Sequence, residues 1–235
     1  MTRILKFAFM AVFTAMTIQF SIAGDLTVGE IANKMSKAPD PNGLYKECKS
    51  FFLKQKLVND KSEIIVEVTF KVPDMSKSVT LVDGKAVNKV FFKRGNAWSV
   101  DSNGNKKEIK GVELESMKIM NNLQNPNSTI SNVFKKIDLR EGKSGETDCY
   151  LLKCCYGEND KDEMTFYVDK KDFLTRKIAM VKDKKPYIAE TKKYSLLQGV
   201  LVGSETMIEF QGNKQTLIVV DYKLNVEVAD SEFEP

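Results

Sequence analysis

The chain has 235 residues, of which 29% are charged and 42% hydrophobic, and its formal net charge at pH 7 is +4. It contains no histidine, which excludes Ser-His-Asp and Cys-His catalytic systems and the usual imidazole metal sites. No basic stripe with interleaved aromatic residues occurs, so the composition does not indicate nucleic-acid binding.

Residues 1–23 are typical of a secretory signal peptide. Arg3 and Lys6 precede the apolar run FAFMAVFTAMTIQF, and Ser21-Ile22-Ala23 is a small-x-small cleavage pattern. The alternative is an uncleaved membrane anchor, which the short apolar run disfavours. This combination of basic start, apolar run and cleavage pattern predicts export to the bacterial periplasm. The alternative is a secreted eukaryotic protein. Residues 24–235 are then expected to form a single domain.

The first part of this domain predicts one helix followed by a hairpin. Apolar residues recur at roughly helical spacing over 27–38, and Pro39 ends the pattern. Residues 45–59 and 62–72 read as two strands joined by a turn at Asn59-Asp60-Lys61. In the second of them the apolar residues alternate: Ile64, Val66, Val68, Phe70 and Val72.

The middle of the chain predicts further strands and then a helix. Two strands flank the turn at Asp83-Gly84, and a third, after Arg94-Gly95-Asn96, carries Trp98. The next run predicts a helix over 112–123, with Val112, Met117, Met120 and Leu123 near one face. Residues 131–138 predict one more helical turn.

The second half predicts strands only. Residues 148–156, 163–169 and 174–182 form a meander of three antiparallel strands, each break carrying turn-forming residues. Runs 185–202, 205–211 and 214–228 follow. The sequence therefore predicts a mainly β fold, with about eleven antiparallel strands in one continuous sheet and helices only near its start and middle.

The four cysteines leave several pairings open. Cys48, Cys149, Cys154 and Cys155 could form disulfides in an oxidising compartment, or they could be buried thiols. Cys154 and Cys155 point to opposite faces of a strand, so on alternation only Cys155 shares a face with Cys149. The adjacent pair lacks the spacing that zinc sites use.

Sequence motifs for catalysis are missing. There is no GxSxG, no glycine-rich phosphate loop and no paired-carboxylate signature, so we expect no enzyme and no cofactor or metal. The methionines of the 112–123 helix suit a surface that repacks around variable ligands, but the pattern alone favours the simpler interpretation that they fill a core. Both interpretations stay open on the pattern alone.

Four stretches, in order, resemble the LolA-like fold and most closely its outer membrane lipoprotein-sorting branch. They are the helix LTVGEIANKMSKA, the hairpin region GKAVNKVFFKRGNAWSVDSNGNKKEI, the block GETDCYLLKCCY with MTFYVDKKDFLTRKIAM, and the late strands with the ending DSEFEP. That ending is similar to an Asp-x-x-Phe closure. The resemblance covers nearly all of residues 24–235.

The resemblance implies an open half-barrel whose concave face is lidded by helices and holds acyl chains. It implies a monomeric periplasmic carrier for lipoproteins or lipids that serves outer membrane biogenesis, taking cargo from an inner-membrane transporter to an outer-membrane acceptor. The expected cavity residues are Ile64, Val66, Val68, Phe70, Phe91, Trp98, Phe166, Ile178, Met180, Ile208 and Phe210, with Val112, Met117 and Met120 in the lid. This assignment assumes which face of each strand is concave, and a one-residue register error would reverse it.

A second reading is a sensor of the same fold, which detects lipoproteins and signals through a protein partner. A filled cavity beside a contiguous exposed apolar patch would favour the sensor. A structural envelope protein and an enzyme rank below these two.

Overall fold

The structure is a computed structural model that describes residues 26–58, 63–156, 162–182 and 185–235. The signal peptide predicted over 1–23 and the turn predicted at Asn59-Asp60-Lys61 lie outside the described residues.

The described residues form one antiparallel sheet of thirteen strands. Their bounds are β1 Ser50–Val58, β2 Ile64–Lys71, β3 Met75–Val82, β4 Lys85–Lys93, β5 Asn96–Asp101, β6 Lys106–Ile109, β7 Lys136–Ser144, β8 Thr147–Tyr156, β9 Asp162–Asp169, β10 Thr175–Lys182, β11 Lys185–Leu197, β12 Val200–Phe210 and β13 Asn213–Leu224. The spatial order is β6-β5-β4-β3-β2-β1-β13-β12-β11-β10-β9-β8-β7. The sheet is open, because β6 and β7 are its two edges. The predicted mainly β open half-barrel is confirmed, with thirteen strands instead of about eleven.

Within the described residues three α-helices accompany the sheet: α1 Val28–Lys37, α2 Gly111–Gln124 and α3 Ile130–Val133. The capping box at Thr27 and Glu30 starts α1, because the Thr27 N–H donates to Glu30 Oε2 at 2.8 Å and the Glu30 N–H donates to Thr27 Oγ1 at 3.3 Å. After α1, the Leu201 N–H donates to the Pro39 carbonyl at 2.6 Å. This bond ties the end of α1 to the start of β12.

Both edge strands differ from the sequence prediction. The single helical turn predicted over 131–138 is present as α3, but it ends at Val133, and Lys136 already begins β7. β6 was not predicted at all, since its sequence KKEI has only one apolar residue. Charged side chains are common on edge strands, where they oppose pairing with another chain, and they conceal the alternation that reveals a strand.

The main core lies between α1, α3 and the β8–β9 part of the sheet. Its buried members are Ile31, Ala32, Ile130, Phe134, Leu152, Cys154, Met164, Phe166 and Val168. A smaller cluster of Phe92, Ala97 and Ile109 lies beneath α2. We call the face of the sheet that carries these clusters and the helices the inner face, and the opposite one the outer face.

The C-terminal tail packs on the outer face. A 3-10 helix, Asp230–Phe233, contacts β3 and β4, and Phe233 is 0% exposed. Asp230 bonds the ammonium of Lys71 at 2.7 Å, and Glu232 lies 3.7 Å from the ammonium of Lys77. The Asp-x-x-Phe ending therefore covers the outer face with an apolar anchor surrounded by ion pairs.

An ion pair closes the β9–β10 turn. The Arg176 guanidinium donates to Asp169 Oδ2 from Nη2 at 2.7 Å and from Nε at 3.0 Å, and the Lys171 N–H donates to Asp169 Oδ1 at 2.8 Å. Burial by itself would raise the pKa of Asp169, but these hydrogen bonds outweigh it and hold the pKa below its usual value.

We expect Asp169→Asn to lower the free energy of unfolding at pH 7 by about 1–3 kcal/mol, the usual effect of losing hydrogen bonds to a charged group. A lowered folded pKa means that the unfolded chain binds the proton more readily. The stabilisation is therefore complete well above the ordinary Asp pKa of about 3.9 and is lost as the pH falls through the lowered folded value.

Urea unfolding across this pH range measures the difference between wild type and variant. Asp148→Asn is the control, since the Asp148 carboxylate is 67% exposed and lies 3.5 Å from the Lys143 ammonium. A difference for Asp169→Asn that persists unchanged into acid would contradict this account.

Candidate ligand cavity

A cavity of about 510 Å³ lies between the inner face and the helices. Its wall comes from β1 and β9 to β13, and its cover comes from α1, the last turn of α2, the connection to α3, and α3 itself. Pockets for small organic ligands measure about 300–1,000 Å³, so this cavity has the size of a ligand site.

The wall is predominantly apolar. The strands supply Phe51, Leu53, Met164, Phe166, Ile178, Met180, Ala189, Leu201 and Val202, and the helices supply Ala32, Met35, Met120, Leu123, Ile130 and Val133. Methionine contributes from both the sheet and the helices, and its flexible side chain suits a wall that adapts to the shape of its ligand.

None of the described residues lining the cavity is charged. The polar members are amides, hydroxyls and phenols. On the side of the helices these are Ser36, Asn122, Gln124, Asn125, Ser128 and Thr129. Within the sheet they are Thr175, Tyr187, Tyr194 and Tyr222, and Tyr45 comes from a 3-10 turn that precedes β1.

Four tyrosines contribute phenol groups to the cavity wall: Tyr45, Tyr187, Tyr194 and Tyr222. The Tyr194 hydroxyl donates to the Thr175 carbonyl at 2.6 Å, and the phenol groups of Tyr45 and Tyr222 lie close to each other. Burial raises the pKa of Tyr45 to about 12, and burial also raises the pKa of the other three phenols. All four therefore stay neutral at physiological pH.

The exposed members of the lining mark the mouth of the cavity. They are Met120, Asn122 and Gln124, all in the last turn of α2. Met120 is 43% exposed. The mouth therefore combines the apolar side chain of Met120 with the exposed side-chain amides of Asn122 and Gln124.

Four of the residues predicted to contact cargo line the cavity. Phe166, Ile178 and Met180 lie on β9 and β10, and Met120 lies at the mouth. Ile178 is directly opposite Phe166 in the sheet, so both side chains of the meander predicted over 148–182 lie on the cavity wall.

Six more lie on the inner face but outside the enclosed cavity. Val68 is paired with the lining residue Leu53, and Ile208 with the lining residue Ala189, so both point inward. Ile64, Val66 and Phe70 are two or four residues from Val68 in β2 and therefore share its face. Phe210 shares the face of Ile208 in β12 for the same reason. These half-exposed side chains extend the apolar surface beyond the helices, except Phe70, which is buried against Phe51 with ring centroids 5.2 Å apart.

Phe91 and Trp98 lie on the outer face, opposite to the expectation. The pairing series Phe70, Ser76, Phe92 shows that Phe92 shares the inner face with Phe70. Phe91 therefore points outward and is paired with Trp98. The two adjacent phenylalanines gave the sequence pattern no means of choosing between the faces.

The lid residues separate into two groups. Met117 packs on the small cluster of Phe92, Ala97 and Ile109, so it fills a core there. Val112 is 60% exposed near the start of α2 and does not line the cavity. Only Met120 of the three predicted lid residues borders the cavity.

Phe51, Leu53 and the tyrosines were not selected from the sequence. Their signal is cross-strand pairing: Phe51 lies opposite Phe70, and Tyr222 opposite Leu53. Once the register of β1 is known, these neighbours follow from the predicted face of β2.

All four cysteines are free thiols, so the disulfide alternative is not realised in the structure. Cys48 precedes β1, and five strands separate β1 from the β8 strand that carries the other three. Cys154 points into the main core and Cys155 to the other face, where it is partly exposed.

We expect Cys155 to be the first thiol that an aromatic disulfide reagent modifies in the folded protein. The other three are buried, and burial raises the pKa of the Cys154 thiol to about 12, which suppresses its thiolate. Counting thiols by absorbance before and after denaturation measures this, and Cys155→Ser is the control that should abolish the early reaction. Early release of more than one equivalent would show the account to be incorrect.

Metal sites and membrane-spanning helices are the other kinds of feature that the described ranges, 26–58, 63–156, 162–182 and 185–235, would reveal. No group of three or more cysteine or carboxylate side chains in them is placed to hold a metal ion. No helix in these ranges combines the length and apolarity needed to cross a membrane.

No family model and no curated protein matches the sequence. Solved structures do match. A LolA superfamily protein from Nitrosomonas europaea has a TM-score of 0.63 at 12% identity, over 90% of this chain and 99% of that one. A DUF1329 family protein from Desulfovibrio piger has a TM-score of 0.58 at 13% identity, over 87% and 94%.

A domain described as an outer membrane lipoprotein-sorting protein, from Vibrio parahaemolyticus, has a TM-score of 0.56 at 14% identity, over 87% of this chain and 94% of that one. At these identities the likeness concerns the fold. The fold is LolA-like, as the sequence resemblance indicated.

Proposed function

We propose that this protein is a periplasmic carrier that binds the acyl chain of a lipid or a lipoprotein in the cavity and shields it from water. The observation that carries the proposal is an apolar cavity of about 510 Å³ with an uncharged wall. Each methylene removed from water contributes about 0.8 kcal/mol, so ten methylenes would contribute about 8 kcal/mol before the costs of binding. Binding of this kind needs no catalytic group.

Two further points support the proposal. The leader predicted over 1–23 would direct the chain to the periplasm, where lipids must cross water between two membranes. The structural similarity to a LolA superfamily protein and to a lipoprotein-sorting domain is consistent with cargo of this class. A carrier of this type would receive cargo from one membrane and deliver it to the other.

The sensor alternative predicts a filled cavity. Open space between α1, α3 and the inner face favours the carrier instead.

Native mass spectrometry of the full chain, exported in a bacterium and purified from the periplasm without detergent, tests the proposal. We expect one lipid-sized adduct per protein, which disappears on delipidation and returns on addition of a fluorescent acyl probe. A second assay measures transfer of the same probe between donor and acceptor vesicles. Protein that is free of lipid and takes up no acyl probe would rule out the carrier.

A further inference from the structure

We propose that the cavity selects acyl ligands whose first polar group is uncharged, such as an ester or amide carbonyl, and discriminates against a free carboxylate. This inference rests on the proposed function and specifies its ligand class. It takes in glycerides and acylated peptides alike, since both carry such a carbonyl.

The described cavity wall has no positive charge that could pair with an ionised carboxylate. No lysine or arginine is among the described residues that line the cavity. Three of the basic residues on the surrounding elements have partners elsewhere: Lys34 lies 4.8 Å from the Phe173 ring centroid, Lys118 pairs with Glu115 at 2.7 Å, and Arg176 bonds Asp169. An ion that leaves water without a partner of opposite charge costs several kcal/mol, so a carboxylate is disfavoured there.

A neutral carbonyl, in contrast, has donors at the mouth. Among the described residues, the side chains of Asn122 and Gln124 make no hydrogen bond within the protein, and both border the cavity. A side-chain amide N–H can donate to an ester or amide oxygen, which needs no countercharge because it carries no net charge. The neighbouring Asn125 is already committed, since its Nδ2 donates to the Pro73 carbonyl at 3.2 Å and its Oδ1 accepts from the Asn127 N–H.

The polar group on the sheet side of the cavity also suits an uncharged ligand. Tyr187 lines the wall, and no partner of its hydroxyl is found within the described ranges. Its burial keeps the phenol protonated, so it can donate to a neutral oxygen but supplies no positive charge. Both polar regions of the cavity are therefore suited to uncharged ligand groups.

Competition binding against a fluorescent acyl probe tests the inference, with lauric acid, monolauroylglycerol and a lauroylated dipeptide amide at neutral pH. We expect the two neutral ligands to bind about tenfold or more tightly than the acid, consistent with an unpaired charge that costs more than 1.4 kcal/mol. The two neutral ligands separate a glyceride cargo from an acylated-peptide cargo.

Asn122→Lys supplies a cation at the mouth, and we expect it to reduce the discrimination against the acid at least several-fold. Asn127→Lys is the matched control, because Asn127 is exposed in the connection that follows α2 but does not line the cavity. Equal affinity of acid and neutral ligands in wild type, or an unchanged ratio in Asn122→Lys, would overturn the inference while acyl binding still supports the carrier. Absence of binding by all three ligands would overturn the carrier and the inference together.

Discussion

Leu53→Glu is expected to weaken acyl-chain binding by about tenfold or more while leaving the protein folded. Leu53 lies in β1 on the inner face and lines the cavity between Val68 and Tyr222, its partners on the two neighbouring strands. A carboxylate there must either lose water when the chain enters or keep water in the cavity. Both outcomes cancel part of the favourable burial of the acyl chain.

Leu57→Glu is the matched control for this experiment. Leu57 belongs to the same strand, points to the same face and is also half-buried, but it lies outside the enclosed cavity. Titration with a fluorescent acyl probe measures both variants, and circular dichroism confirms that each is folded. Equal loss of binding in the two variants would show that the enclosed cavity is not where the chain binds.

Phe233→Ala is expected to lower the free energy of unfolding by about 3–5 kcal/mol, the usual cost of removing a buried phenylalanine ring. Phe233 is 0% exposed and anchors the tail against the outer face of β3 and β4. The surrounding ion pairs are partly exposed to solvent, so they contribute less than the ring.

Urea unfolding at neutral pH measures this effect. Phe210→Ala is the control, because the same ring is removed from a side chain that is 46% exposed, and we expect less than half the loss. Because Phe233 lies on the face opposite the cavity, acyl binding by the folded Phe233→Ala protein should be unchanged. A stability loss no larger than that of the control would mean that the tail does not stabilise the sheet.

The amino-acid pattern was sufficient for most of the individual elements. The helix predicted over 27–38 is observed as Val28–Lys37, and the helix predicted over 112–123 as Gly111–Gln124. The meander predicted from 148 to 182 is β8, β9 and β10. In each of these segments the local propensity, the apolar period and the turn residues agree, so tertiary contacts did not change the outcome.

The predictions that failed concern faces and edges. Phe91 and Phe92 are adjacent and both apolar, so only the pairing of β2, β3 and β4 reveals that Phe92 points inward. The charged edge strands β6 and β7 have few apolar residues and are defined by the backbone hydrogen bonds they make to β5 and β8. The identity of a residue alone reveals neither the face to which its side chain points nor the strand with which its backbone pairs.

The sequence by itself determined the element types, the absence of histidine chemistry and the resemblance to a LolA-like fold, because composition and periodicity are local properties. Only the tertiary structure decided which side chains surround the cavity. Residues as distant as Ala32, Leu53, Ile178 and Tyr222 meet there, and their positions depend on the order of thirteen strands and on how α1 and α3 cross the sheet. The uncharged wall is likewise a property of the assembled fold: a chain with 29% charged residues directs them elsewhere, because burying unpaired charge is too costly.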